Sequence, residues 1–179
     1  MSSYYYFAAS LPMLQFEGDL PMSTEEFLSD CERLLSPKDF LYIKQIFYPD
    51  KIEGIVGDKV LKAWMEFENT FRNEIAVFRA EANKENPLDF IHGERYPDPW
   101  IHKIIVSAAE KDNLLLVEKM LDQLRWQFLD ELVAGHYFDL GYLIVYGIKL
   151  KILSRYNLMK SSKGGEVFEM LKKLNNVDI

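Results

Sequence analysis

Seven apolar side chains between Val60 and Ala82 (Val60, Trp64, Phe67, Phe71, Ile75, Phe78 and Ala82) recur at steps of 4, 3, 4, 4, 3 and 4. An alternation near 3.6 is the repeat of one helix face, whereas a strand repeats every second residue. Held over roughly 25 residues at 1.5 Å each, such a helix is about 37 Å long, so it runs past a compact core or forms its backbone. A second row, Leu114, Val117, Leu121, Leu124, Phe128, Leu132 and Gly135, repeats at 3, 4, 3, 4, 4 and 3. With 179 residues and 49% hydrophobic side chains, the chain can close a real core around two such helices without a metal or disulfide staple.

The remaining punctuation also reads as helix ends. Residues 4–11 fit strand or helix and stop at Pro12, ahead of a Gly18-Asp19-Leu20-Pro21 turn. Ser23 with Glu26 three residues later is a capping box ahead of Phe27, Leu28, Cys31, Leu34 and Leu35. Ser36-Pro37 starts a helix carrying Phe40, Leu41, Ile43, Ile46 and Phe47, which Tyr48-Pro49-Asp50 ends. A Gly54 to Gly57 turn and an Asp58 cap precede the first long row. Three prolines and Gly93 make residues 83–99 the chief break, a lobe boundary or a hairpin loop. Asp98-Pro99 then opens a helix buried through Ile101, Ile104, Ile105 and Ala108, and Asp112-Asn113 precedes the second long row. Asp139 caps a segment in which Leu140, Leu143, Ile144, Gly147, Ile148 and Ile152 share a face, and Gly147 inside it points to close packing against a neighbour. Ser161 to Gly165 breaks the pattern before a short last helix through Val167, Phe168, Leu171 and Leu174. The expected fold is all-α, a single helical domain over residues 1–179 with seven or eight helices.

Charge and motifs narrow the function by exclusion. A net charge of −7 argues against a general nucleic-acid binder, which needs clustered Lys and Arg. The balance is uneven, with seven Lys and Arg against three acids from Lys149 onward. Cys31 is the one cysteine, so there is no internal disulfide or CxxC zinc site, and its place in an apolar row reads as a packed thiol. His92, His102 and His136 lack the H-E-x-x-H spacing, and His92-Gly93-Glu94 lacks the P-C-x-x-C partner of the zinc deaminases. No P-loop, dinucleotide glycine turn or G-x-S-x-G elbow occurs, so nucleotide binding and the usual acyl transfer lack their required backbone geometry. Glu66, Glu68, Glu74 and Glu81, with Asp130 and Glu131, read as solvated helix faces, because di-metal carboxylate bundles require Glu-x-x-His. No catalytic residue, cofactor or metal is expected. Trp64, Trp100 and Trp126 are expected as core anchors, although Trp126 lies off its row beside Arg125, a pairing enriched at interfaces. Four consecutive aromatics, Tyr4 to Phe7, cannot all face one core. No basic residue precedes the N-terminal apolar run and no run of about 18 apolar residues exists, so a cytoplasmic location without a membrane span is expected.

The stretch from Glu118 to Asp139, containing Arg125-Trp126, Asp130-Glu131 and Gly135-His136-Tyr137-Phe138, resembles a bacterial family of uncharacterised proteins encoded beside V-type ATP synthase subunits. Tyr4 to Pro12 and Tyr146 to Arg155 look like the same family. A more distant likeness is to the C subunit of the A/V-type ATPases, the helical funnel between central stalk and membrane ring. It rests on the opening Tyr4-x-Tyr6 with Ala8-Ala9 and on the closing helix pair from Leu140 to Leu171, in a chain only about half as long as that subunit. The resemblance implies a non-catalytic coupling or accessory subunit, bound to stalk and ring subunits at the inner face of the membrane. Tyr4, Tyr6, Arg125, Trp126, Lys149, Lys151 and Arg155 are the residues expected to meet those partners. The rival expectations are a free-standing helical adaptor and an enzyme using His92, Glu94 and His136.

Overall fold

The structure, a computed structural model, describes residues 4–49, 57–93 and 96–160. Seven α-helices and one 3-10 turn account for the regular structure among them: α1 (Tyr5–Ser10), α2 (Thr24–Leu34), α3 (Pro37–Phe47), α4 (Lys59–Asn83), α5 (Pro99–Ala109), α6 (Leu114–Leu132) and α7 (Leu140–Lys160), with the 3-10 turn at Pro87–Asp89. The all-α expectation holds, and the ambiguous run 4–11 resolves as helix. The Ser161 to Gly165 break, the short last helix and most of the Gly54 to Gly57 turn lie outside the described residues.

Helix starts sit where side-chain chemistry satisfies orphan N–H groups. Ser23 Oγ accepts from the Glu26 N–H at 3.1 Å while Glu26 Oε2 accepts from the Ser23 N–H at 2.8 Å. At α3, α4, α5 and α6 the side chains of Ser36, Asp58, Asp98 and Asn113 accept from first-turn N–H groups, without the reciprocal bond. Asp139 Oδ1 accepts from the Tyr142 N–H at 3.0 Å at the start of α7.

Helix α7 is the axle. Leu143, Ile144, Val145, Tyr146, Ile148, Leu150, Ile152, Leu153 and Tyr156 are all buried, so apolar groups occupy every side of it, where the sequence pattern marks a single face. Helices α2, α3, α4 and α6 pack around it. Gly147 lets α2 and α3 approach: a Cβ there would lie 3.0 Å from Phe27 Cε1 and 3.5 Å from Phe47 Cε2. The segment between α1 and α2 lies along the same axle. Tyr146 donates its hydroxyl to the Pro12 carbonyl at 3.0 Å, and Tyr156 donates to Glu17 Oε1 at 2.8 Å.

Helix α4 bridges two apolar clusters, which gives its length a purpose. Val60 and Leu61 join the main core around α7, while Phe71 joins Ile101, Ile105 and Leu124 in a second cluster with α5 and α6. Residues 83–93 turn back along α4, where Asn73 clasps the His92 backbone: its Nδ2 donates to the His92 carbonyl at 3.1 Å and its Oδ1 accepts from the His92 N–H at 3.0 Å. Some expected core positions lie outside. Leu34, Leu41, Ala82, Trp100 and Leu114 are exposed, because each sits at the margin of its helix's apolar arc or in a terminal turn.

Candidate functional site

Three helices bring charged residues to one cleft. Glu68 and Arg72 stand four apart on α4, Asp122 and Arg125 three apart on α6, and Lys151 and Arg155 four apart on α7, spacings that place each pair on one helix face. Gln45 and Ile46 of α3 close the remaining side. The cleft has a volume of about 690 Å³, within the usual range for small-molecule pockets, and Leu61, Trp64, Ile148 and Ile152 give it an apolar wall.

An ion-pair chain runs across its floor. Arg125 Nε donates to Glu68 Oε1 at 2.6 Å and its Nη1 to Asp122 Oδ1 at 3.2 Å, while its guanidinium lies 4.0 Å from the centre of the Phe71 ring. Arg155 donates to Asp122 Oδ1 and lies 3.4 Å from Glu118. Burial works to lower the Arg155 pKa, but the hydrogen bond and charge of Asp122, with Glu118 and Glu68, outweigh it and hold the pKa above its ordinary value. Lys151 Nζ donates to the Ile46 carbonyl at 2.7 Å, tying α7 to α3. Two acceptors on the cleft wall have no donor among the described residues: Asp122 Oδ2, in a residue 1% exposed, and Gln45 Oε1. A buried unpaired acceptor costs about 1–3 kcal/mol, so these two atoms are a local cost that the described residues do not offset.

A second feature lies where α1 meets the α6–α7 turn. Tyr6, Tyr137 and Met13 are 79%, 70% and 82% exposed, and Tyr5 and Phe138 are partly so. The Tyr5 ring packs against Phe138 at 4.4 Å and edge-on to Tyr6 at 5.6 Å, so these rings form one patch. Gly135, at φ +88°, takes the left-handed conformation that ends α6 and turns the chain toward that patch. His136 Nδ1, 2.6 Å from Asp139 Oδ2, braces the turn, and a shallow hollow of about 420 Å³ between Ala9, Met13 and Tyr137 adjoins it.

The structure separates the seven residues expected at a partner surface. Arg125, Lys151 and Arg155 converge on the cleft, and Tyr6 stands in the aromatic patch. Lys149 pairs with Asp130 and lies 5.1 Å from the Trp126 ring. Tyr4 and Trp126 present no ring to a partner, since both are buried: Tyr4 donates its hydroxyl to Asp39, and Trp126 packs 5.5 Å from Phe16. The solvated reading of the acids is corrected at two positions. Glu74 is 1% exposed and lies 3.1 Å from His102 Nδ1, and Glu68 is held by Arg125. Helical spacing cannot show this, because the partners come from other helices. Gln45 and Asp122, missed in the sequence, carry no local signature either.

Cys31 is fully buried, and desolvation pushes its thiol up to about 12, with the Asp30 charge adding to the effect. His92 is clasped on the loop beside α4 and His136 braces the α6–α7 turn, while Glu94 lies outside the described residues. No group of three His, Cys, Asp or Glu side chains among the described residues is arranged to hold a metal, and no helix there is long and apolar enough to cross a membrane.

No curated protein and no solved structure matches the chain significantly. Residues 98–177, from the cap of α5 through all of α6 and α7, match the model of a family described as "Protein of unknown function (DUF2764)".

Proposed function

We propose that the protein is a non-catalytic helical subunit that docks onto a larger assembly through the aromatic patch of α1 and the α6–α7 turn. The carrying observation is that Tyr5, Tyr6, Tyr137 and Phe138 gather from distant parts of the chain and stay in solvent. Contiguous exposed apolar groups of this kind mark interaction sites, and tyrosine supplies large contact area at little entropic cost. The assembly proposed is a V-type ATP synthase, on the sequence likeness of Tyr4 to Pro12, Glu118 to Asp139 and Tyr146 to Arg155. In that setting the chain links stalk to membrane ring, and ATP chemistry belongs to other subunits.

The test is affinity purification of the tagged chain from its native cells in gentle detergent, followed by mass spectrometry. Catalytic and stalk subunits should be recovered in fixed ratio with the wild type and lost with a Tyr6→Ser, Phe138→Ser variant that remains folded. Intact ATP synthase without this chain, and unrelated proteins in its place, would replace this reading with a free-standing adaptor.

A further inference from the structure

The aromatic patch is built from two parts of the chain that carry no Lys or Arg. Residues 1–32 and 126–148 hold none, although 21 occur in the chain. Acids do occur beside the rings: Asp130 and Glu131 stand in the last turn of α6, and Asp139 follows Phe138. This reverses the usual placement, because the C-terminal end of a helix carries partial negative charge and favours cations. Helix α6 has no basic residue in its last turn, so its acids add to that charge where the chain turns into Tyr137 and Phe138. The cations that do lie close are already held. Lys149 lines the hollow beside the patch, but its side chain is only 13% exposed, with its ammonium on Asp130 Oδ1 and 5.1 Å from the Trp126 ring. His136 is held by Asp139, which also caps α7. Asp130 and Glu131 remain exposed, and the Tyr6 and Tyr137 rings offer the negative faces of their quadrupoles to solvent.

Charge therefore selects among the surfaces that could cover these rings. An anionic membrane or a nucleic acid needs Lys and Arg around the aromatics, and acids there repel it. A second copy of the chain would set the same carboxylates against each other across a two-fold axis. We propose that the patch takes an arginine-bearing segment of a different protein, with guanidinium groups over the Tyr6 and Tyr137 rings, their charge toward Glu131 and Asp130, and an apolar neighbour in the hollow between Ala9, Met13 and Tyr137. Arginine suits the surface better than lysine, because its planar, weakly hydrated head stacks on a ring while still pairing with a carboxylate. This inference rests on the patch being the docking surface proposed above, and it names what that surface accepts.

The test is selection of a random peptide display library on the immobilised full chain, followed by fluorescence-anisotropy titration of the selected peptides. They should be enriched in Arg flanked by apolar residues and should bind less tightly as salt rises. Glu131→Lys, a charge reversal at an exposed position, should weaken them about threefold to tenfold. A Tyr6→Ser, Phe138→Ser variant that melts like the wild type should weaken them about tenfold or more. Peptides that depend on Tyr6 and Phe138 but carry no excess of Arg, or that bind Glu131→Lys unchanged, would overturn the charge preference and leave the docking surface in place. Peptides indifferent to Tyr6→Ser, Phe138→Ser, or a selection that yields none, would overturn the docking surface as well. Flotation of the full chain with phosphatidylserine vesicles, or a dimer that Tyr6→Ser, Phe138→Ser dissolves, would give the patch to a membrane or to a second copy and overturn the proposal.

Discussion

Around α7 the molecule seats apolar side chains on every side of a helix, whereas along α4 and α6 it seats charged groups between helices. In the first region Phe27, Phe47 and Tyr146 crowd around Gly147 with nothing polar to satisfy except the Tyr146 hydroxyl. In the second, Glu68, Asp122, Arg125 and Arg155 form a chain whose every link crosses from one helix to another or joins neighbours on α6. Shape fixes the first region and pairing fixes the second. The difference sets what each region tolerates: a dry contact loses in proportion to the volume removed, while a buried ion pair loses most when only one member goes.

The largest expected effect lies in the dry region. Phe27→Ala should cost about 3–5 kcal/mol, read as a fall in the urea midpoint with little change in slope, because a fully buried ring leaves a cavity that its rigid neighbours cannot fill. Arg125→Leu should come next, near 3 kcal/mol, since it strips a guanidinium from two buried or half-buried carboxylates while Arg155 still holds one of them. If Arg125→Leu proved neutral, the paired region would be behaving like the dry one and the contrast would fall. Gly147→Ala should cost about 1 kcal/mol net, the helix-propensity gain being outweighed by a methyl 3.0 Å from a ring that is walled in.

The smallest effect at neutral pH concerns Cys31. Its thiol, pushed up to about 12 in the folded chain, stays neutral where the thiol of the unfolded chain, near 9, has ionised. The unfolded state therefore holds fewer protons above pH 9, and stability should decline as pH climbs from about 9 toward 12 while remaining unaffected at pH 7. Native Cys31 should also react with iodoacetamide far more slowly than the urea-unfolded chain, and comparable rates would show that the α2–α7 contact opens readily.

Where the helices after α1 begin was legible in the sequence because capping is local: Ser23 with Glu26, Asp58, Asp98 with Pro99 and Asp139 each act within a few residues. The 25-residue span of α4 was legible for a similar reason, since its apolar steps are contained in one segment. The all-round burial of α7 was not, because Val145, Tyr146, Leu150 and Leu153 are claimed by several neighbours at once, and no single period encodes that. Burial of Glu74 and Asp122 escaped for a different reason. Their partners His102 and Arg155 stand 28 and 33 residues away, and a lone carboxylate in a helical pattern reads as a solvated face until the opposing helix is known. Of the cleft, Arg125, Lys151 and Arg155 were already marked as partner-facing, while Gln45 and Asp122 became visible only through the polar atoms they leave unpaired.

The strap that joins Pro12 and Glu17 to α7 also has a bearing on the order of assembly during synthesis. Its hydrogen bonds to Tyr146 and Tyr156 connect residues 134 and 139 positions apart, so the first fifth of the chain waits on the ribosome until α7 has emerged. Until then Phe7, Phe16 and Phe27 lack their axle, and the nascent chain carries an aromatic surface uncovered. Closing so long a loop comes late, and the N-terminal aromatic segment is thereby open to aggregation until α7 packs against it.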